Sequence, residues 1–348
     1  MIDFNLRQRG RALVDFQAIA SRASFAASRA TDAEMAAKGI TAETLPDDMD
    51  ERHALVEKEM ADSKAFKVSQ LWGEWHAKNH GQACQDAFEE IRDVVAPKLT
   101  ALDDGPATLD YNEGFEPPSY WSKVWFHRTT GGWDANDFNG FVHGELVHKR
   151  LVAKSFPGDI FAQRRLAAQQ APKDSYKRIL DCGAASGHFT QALQETYPDA
   201  EIWGIDLSPR MLEHARRTAN AKGYAWKLFV RPMEDTGFDA ESFDLVASYI
   251  LLHELPPRII RQWLEEAFRL LEPGGDLIAS DVPRYSDLDK MEAWKADWAA
   301  KWGGEPYWRA SATMDVKAAA EEVGFVDVET YTFEPRKYPF ILRARKPA

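Results

Sequence analysis

The chain has little that would cross-link it or embed it. Two cysteines, Cys84 and Cys182, stand among 348 residues, too few for a disulfide framework or a thiolate zinc site. Long apolar runs are missing too. The longest, Leu245 to Leu252, is interrupted by Ser248 and falls far short of the roughly 20 residues that cross a bilayer. No apolar secretion signal follows Met1. Positive charge is scarce: 43 Lys and Arg face 55 Asp and Glu, a net charge of −12, whereas a nucleic-acid groove needs clustered cations. These absences point to a cytoplasmic globular chain with neither a membrane nor a nucleic-acid partner. One stretch pulls the other way. Residues 1–30 carry Arg7, Arg9, Arg11, Arg22 and Arg29 with only Asp3 and Asp15, the composition of a transit segment. Phe4, Leu6, Leu13, Val14 and Phe16 suit an ordinary amphipathic helix better.

Tryptophan is what the chain has in surplus, 12 residues within a 12% aromatic content. Its length predicts two domains at about 150 residues each: a mainly helical cap over 1–170 and an alternating strand–helix domain over 171–348. In the cap, Pro46-Asp47-Asp48 signals a helix start. The helix is expected to run from Asp50 toward Phe66, with another through Leu71, Trp72 and Trp75. Segment 102–144 differs, being broken by Gly105-Pro106, Pro117-Pro118 and Gly131-Gly132 and rich in aromatics such as Trp121, Trp125 and Trp133. A loop this long is uncommon unless it covers or binds something.

After Pro172 the strands 177–181, 202–205, 226–230, 243–249 and 276–280 alternate with the helices 189–197, 209–221 and 259–271. Two last strands, 326–333 and 339–345, form a hairpin. The pattern predicts an α/β fold with a doubly wound, Rossmann-like, seven-stranded sheet, mostly parallel with an antiparallel edge strand. An insertion over 282–312 carries Trp294, Trp298 and Trp302 at helical spacing, a stripe that suits core packing. The helical N-terminal half is the candidate surface for a homodimer, although no heptad repeat supports one.

Chemistry concentrates where the first strand of the sheet meets its helix, at Ile179-Leu180-Asp181-Cys182-Gly183-Ala184-Ala185-Ser186-Gly187. Open α/β sheets bind ligands at this place, and glycines there let a ligand approach the backbone. The glycines stand four apart behind an aspartate, unlike the pyrophosphate-binding G-x-G-x-x-G spacing. A carboxylate there suits an ammonium group. The second strand ends in Gly204-Ile205-Asp206, where a carboxylate can accept both hydroxyls of a ribose.

Together with the terminal hairpin, these motifs resemble the class I S-adenosylmethionine-dependent methyltransferases over about half the chain, from Tyr176 to Arg345. The resemblance implies S-adenosyl-L-methionine as cofactor and S-adenosyl-L-homocysteine as product. It implies that Asp181, Gly183, Ala185 and Gly187 hold the methionine portion, Asp206 the ribose, and Leu207 the adenine. Glu234-Asp235-Thr236-Gly237-Phe238 looks like the family's E-D-x-x-F stretch. The aspartate usual two residues earlier is replaced by Pro232, which leaves Met233 and Glu234 to meet the adenine. Ala185 stands where many members have glycine. Ser248, at the end of the fourth strand, completes the expected cofactor set.

His253 follows that strand in Ser248-Tyr249-Ile250-Leu251-Leu252-His253-Glu254, similar to the segment carrying the general-base histidine of small-molecule O-methyltransferases. It is the catalytic candidate, with loop orientation as its other reading. Tyr249, Trp121, Trp125, Trp133, His143 and Asp281 are the candidates for the acceptor pocket. No metal is expected. His143 and His148 stand five apart rather than the i, i+4 of helical zinc motifs, and Asp281, Asp287 and Asp289 lack the pattern of a magnesium site. The expectation is therefore methyl transfer to a small-molecule acceptor, oxygen favoured, nitrogen or sulfur open. Two alternatives stand beside it: a cofactor-binding protein without this activity, and a protein methyltransferase that docks its partner on the N-terminal half.

Overall fold

The computed structural model describes residues 2–129, 131–155 and 159–348. Four helices open the chain: α1 (Gln8–Ala37), α2 (Met49–Glu59), α3 (Lys64–Glu89) and α4 (Arg92–Thr100). α1 and α3 run antiparallel. Gly10 lies so close to α3 that a Cβ there would sit 2.9 Å from Ala87 Cα, and Ser28 Oγ meets Ser69 Oγ at 2.9 Å near the other end. The expected run from Asp50 to Phe66 is two helices. Asp48 caps the first by accepting from the N–H groups of Asp50 and Glu51, and Ser63 caps the next through Phe66 N–H. Ser63 was the start signal overlooked, because a side-chain oxygen at that position satisfies an otherwise orphaned helix N–H.

The aromatic segment folds into short pieces: strand β1 (Thr108–Asp110), α5 (Ser119–Ser122) and α6 (Asn139–Phe141), then a π-helix over Val142–Leu151 and α7 (Ile160–Ala168). The sheet domain follows as β2 (Arg178–Cys182), α8 (His188–Thr196), β3 (Glu201–Asp206), α9 (Pro209–Lys222), β4 (Lys227–Val230) and β5 (Phe243–Tyr249). It continues with α10 (Pro257–Leu270), β6 (Leu271–Asp281), α11 (Lys290–Gly303), α12 (Trp308–Thr313), α13 (Val316–Val323), β7 (Val326–Thr332) and β8 (Phe340–Arg345).

The strands form one sheet in the order β1-β4-β3-β2-β5-β6-β8-β7. All pairs are parallel except β6–β8 and β7–β8. Seven strands are those read from the pattern. The eighth, β1, comes from the aromatic segment and pairs with β4 through Thr108↔Lys227 and Asp110↔Phe229. Three residues give no periodicity to read, so only tertiary pairing makes them a strand. Among the described residues no helix is long and apolar enough to cross a membrane.

Two apolar layers sandwich the sheet. Trp263, Leu264 and Phe243 lie in one, and Trp226, Phe189 and Leu212 in the other. A third cluster joins α3 to the π-helix through Phe88, Phe141 and Leu146. The tryptophan stripe of the insertion packs into the N-terminal helices, Trp294 with Val56, Met60 and Phe66, and Trp298 at 5.1 Å from the Phe66 ring. A buried polar knot ties the same parts together. Asp297 takes His53 Nε2 at 2.7 Å, the Tyr285 hydroxyl at 2.7 Å and Arg309 Nε at 2.8 Å.

The cap packs closely on the sheet domain at Gly140. A Cβ there would sit 2.3 Å from Arg210 O and 2.7 Å from His214 Cβ. Gly140→Ala is therefore expected to cost about 1–3 kcal/mol through overpacking. The check is a lower urea midpoint with an unchanged denaturant slope.

Candidate functional site

The turn after β2 is built on left-handed backbone. Gly183 has φ 78° and Gly187 φ 83°, values that cost glycine nothing. A Cβ on Gly183 would run into the Leu251 side chain at 2.5 Å, and one on Gly187 would meet Ala215 and Trp226 at 3.0–3.1 Å. Ala185, between them, also has positive φ at 44°, a position where its methyl costs strain that glycine would avoid. Its N–H is held by Asp206 Oδ2 at 2.9 Å, and Ser208 N–H donates to Asp206 Oδ1 at 2.9 Å. Asp206 thus fastens the tip of β3 to the turn after β2. Burial pushes its carboxyl up to about 6, against the pull of those two N–H groups.

Above this turn lies a cavity of about 300 Å³, walled on one side by the sheet's carboxyl end and on the other by the cap. Ten of the expected residues line it: Gly183, Ala185, Asp206, Leu207, Met233, Tyr249, Trp121, Trp133, His143 and His253. Six stand elsewhere. Asp181 is fully buried beneath the turn. Thr190 donates to its Oδ2 at 2.6 Å, Oδ1 has no partner, and burial raises its carboxyl to about 7. Gly187 serves the turn and the packing of α8. Ser248 is buried within β5. Glu234 is occupied, since both its oxygens accept the Tyr120 hydroxyl, at 2.7 and 2.9 Å. Trp125 is 58% exposed and donates its indole N–H to Thr129 O at 2.7 Å, which turns it away from the cavity.

Asp281 corrects the reading most. Instead of facing an acceptor it is fully buried and collects four donors. Leu251 N and Leu252 N give to Oδ2 at 3.0 and 2.6 Å, and Val282 N and His253 Nδ1 meet Oδ1 at 2.6 and 2.9 Å. His253 is left with Nε2 on the side of Glu254, 3.9 Å from its Oε1. Burial would lower the ring's pKa, but Asp281, Glu305 and Glu254 outweigh it and hold the ring at about 9. Asp281 itself stays below the usual carboxylate range, because His253 and Arg284 overcome the cost of burying it.

Several lining residues had weak signals or none in the sequence. Arg164 is 8% exposed, lines the cavity and has no carboxylate partner among the described residues. Its guanidinium rests 5.0 Å from the Tyr249 ring centroid, and its Nε is buried without a hydrogen bond. His143, His148 and His188 surround it, all kept neutral chiefly by burial, His143 at about 3. The spacing of five that argued against a helical pair brings His143 and His148 together. In a π-helix the backbone closes i to i+5, and the two rings stand 4.2 Å apart. Glu305 also lines the cavity, signalled by nothing except the Gly303-Gly304 turn before it.

An open sheet in this strand order, with a glycine turn and a carboxylate at its carboxyl end, is a doubly wound α/β protein, a class that takes ligands at that edge. Comparison with known proteins narrows that class. Residues 179–275 match the family model described as a methyltransferase domain. Malonyl-[acyl-carrier protein] O-methyltransferase of Hahella chejuensis is 33% identical over 162 residues, 42% of this chain and 55% of that protein. Demethylmenaquinone methyltransferase of Thermus thermophilus is 34% identical over 147 residues, 40% and 60% of the two chains. Arsenite methyltransferase of Homo sapiens is 27% identical over 159 residues, 42% and 40%. The chain spans about half the length of these curated relatives. Over residues 179–275 the sheet half is thus similar to methyltransferase domains.

Asp281→Ala leaves three backbone N–H groups of a buried turn without acceptors. At about 1–3 kcal/mol for each unsatisfied group, the substitution is expected to lower stability by at least about 3 kcal/mol. Equilibrium urea unfolding measures it.

Proposed function

We propose that this protein transfers the methyl group of S-adenosylmethionine to a small-molecule acceptor, oxygen favoured, with His253 taking the acceptor's proton. The observation that carries the reading is one cavity in which the glycine turn and Asp206 face His253 and the aromatic cap. The chain's residues fit the cofactor. Gly183 and Ala185 line the cavity floor. Asp206 lines the cavity with both oxygens already oriented by N–H groups, each keeping a second lone pair for a ribose hydroxyl. Leu207 and Met233 supply apolar faces for a base. Arg164 is the buried cation that awaits an anion, and the cofactor's amino-acid carboxylate supplies one. Asp181 acts from below the turn, through its orientation.

When bound, the cofactor supplies an electrophilic methyl on a positively charged sulfur. Everything else falls to the chain. Asp281 fixes one ring nitrogen of His253 and leaves the other to accept a proton, the orientation role a buried carboxylate serves in base dyads. With its ring held at about 9, His253 carries a proton at neutral pH until positive charge enters the cavity and disfavours the imidazolium. Trp121, Trp133, Phe126 and Tyr120 wall the space, excluding water and fixing the line of approach on which displacement depends. The three relatives are named for a malonyl-protein, a quinone precursor and arsenite. A shared sheet half with such different acceptors supports assigning acceptor choice to the cap.

His253→Gln is expected to lower kcat by roughly 10²–10⁴-fold, the usual share of a general base, while the Kd for S-adenosylhomocysteine stays within about twofold. Turnover on a metabolite panel and calorimetry read the two. Unchanged kcat would remove His253 from the mechanism. Cofactor affinity should also depend on Asp206. Its folded-state pKa of about 6 lies above the ordinary carboxylate value. The carboxylate form is therefore complete above that pH, and affinity falls as pH drops through 6, by up to about tenfold per unit. Calorimetric titration from pH 8 to pH 5 measures the slope, and Asp206→Asn should reduce it around pH 6 while leaving the part set by Asp181, whose carboxyl lies at about 7.

A further inference from the structure

Among the described residues, one set of side chains gathers the donor atoms a metal ion needs: His127, Glu254 and Glu305. They arrive from three separate stretches, the aromatic segment, the turn after β5 and the loop after α11. His127 Nε2 lies 3.3 Å from Glu254 Oε1 and 3.1 Å from Glu305 Oε1. Those separations match an imidazolium hydrogen-bonded to both carboxylates, and they also suit ligands about 3 Å apart around a cation held at about 2.0–2.2 Å. Two carboxylates and a neutral imidazole offset a double positive charge. The other oxygen of Glu305, Oε2, is buried with no hydrogen-bond partner.

The backbone is arranged around the same three residues. His127 and Arg128 both have φ 51°, a region that non-glycine residues enter at a cost and keep where the surroundings over-determine them. His127 N–H donates to Gly304 O at 2.9 Å. Gly304, at φ 83°, lies where a Cβ would sit 2.7 Å from Arg128 Cγ. The strained loop is thus bolted to the residue next to Glu305, so the two ligands are fixed to each other through main chain. All three side chains line the main cavity. His127 and Glu305 also line a second cavity of about 440 Å³, reached by His76 and His80 of α3 and Trp298 and Trp302 of α11.

We propose that His127, Glu254 and Glu305 bind one divalent first-row cation, of the manganese or zinc type that imidazole with carboxylates suits, with its remaining coordination positions open to the main cavity. An acceptor oxygen is the natural occupant of an open position. That last step rests on the methyl-transfer reading; the cation site does not.

The test uses the full chain, stripped with a chelator and returned to metal-free buffer, with no cofactor or acceptor added. Mn²⁺ is titrated in while the electron paramagnetic resonance signal of the free aqua ion is followed, and Zn²⁺ uptake is measured by calorimetry. One equivalent should bind. Glu305→Gln and His127→Ala should each weaken binding roughly a hundredfold or more, beyond the 10–100-fold lost with an outer-shell partner. Their near-UV circular dichroism and S-adenosylhomocysteine affinity should stay unchanged. If a variant loses its native near-UV spectrum, Mn²⁺ broadening of the His127 ring resonances in the wild-type protein decides instead. A natively folded wild type that takes up neither ion below about a millimolar, a binding free energy of about −4 kcal/mol, overturns the proposal and leaves an imidazolium clamped between carboxylates. Undiminished uptake by both variants overturns it as well, because the ion then sits elsewhere. Failure of the methyl-transfer reading is seen separately, as absence of S-adenosylhomocysteine binding.

Discussion

The arrangement of the site depends on one carboxylate in the wrong solvent. Asp281 lies at the tip of β6 with no exposed surface, where an unpaired ion would be prohibitively costly. Three backbone N–H groups and one imidazole gather on it. Satisfying it dictates the path of the chain after β5, including the left-handed turn at Ile250, φ 54°. That path lays Leu251 over Gly183, brings His253 to the cavity wall and carries Glu254 toward the cap. The carboxylate touches nothing in the cavity, yet the positions of three lining residues follow from it.

The cavity it helps shape is lined by groups of both charge signs. Arg164 with the neutral rings of His143, His148 and His188 forms a region rich in donors and without a carboxylate. Asp206, Glu254 and Glu305 form a region rich in acceptors. Low-dielectric walls strengthen the interactions of both groups. The sheet contributes the acid that ties its own strands together. The cap and the insertion contribute most of the rest.

How far the sequence could be read follows the same division. Seven strands and the helices between them were legible, because alternation of apolar runs with turn residues is a local signal and the hairpin at the end has its own period. Gly183 and Asp206 were legible as cavity residues from their places at strand ends, and Met233 through the resemblance of the stretch at 234–238 to the methyltransferases. Direction was not. Asp281 and Trp125 were assigned to the pocket by proximity in sequence, and burial with four donors turned one inward while an indole hydrogen bond turned the other outward. Glu234 was claimed by Tyr120, more than a hundred residues away, a contact no local pattern announces. His143 and His148 were measured against α-helical spacing, when the chain there winds with a wider turn. Arg164 and Glu305 had no signal, since a lone charge in an ordinary helix or after a pair of glycines looks like surface until the fold buries it.

The eighth strand has a consequence for the edge of the sheet. Without Thr108–Asp110, β4 would present an open row of N–H and C=O groups, the kind of border that invites pairing between molecules. Here the cap guards that border. The segment whose Tyr120, Trp121, Phe126 and Trp133 wall the cavity therefore also covers the border of the sheet.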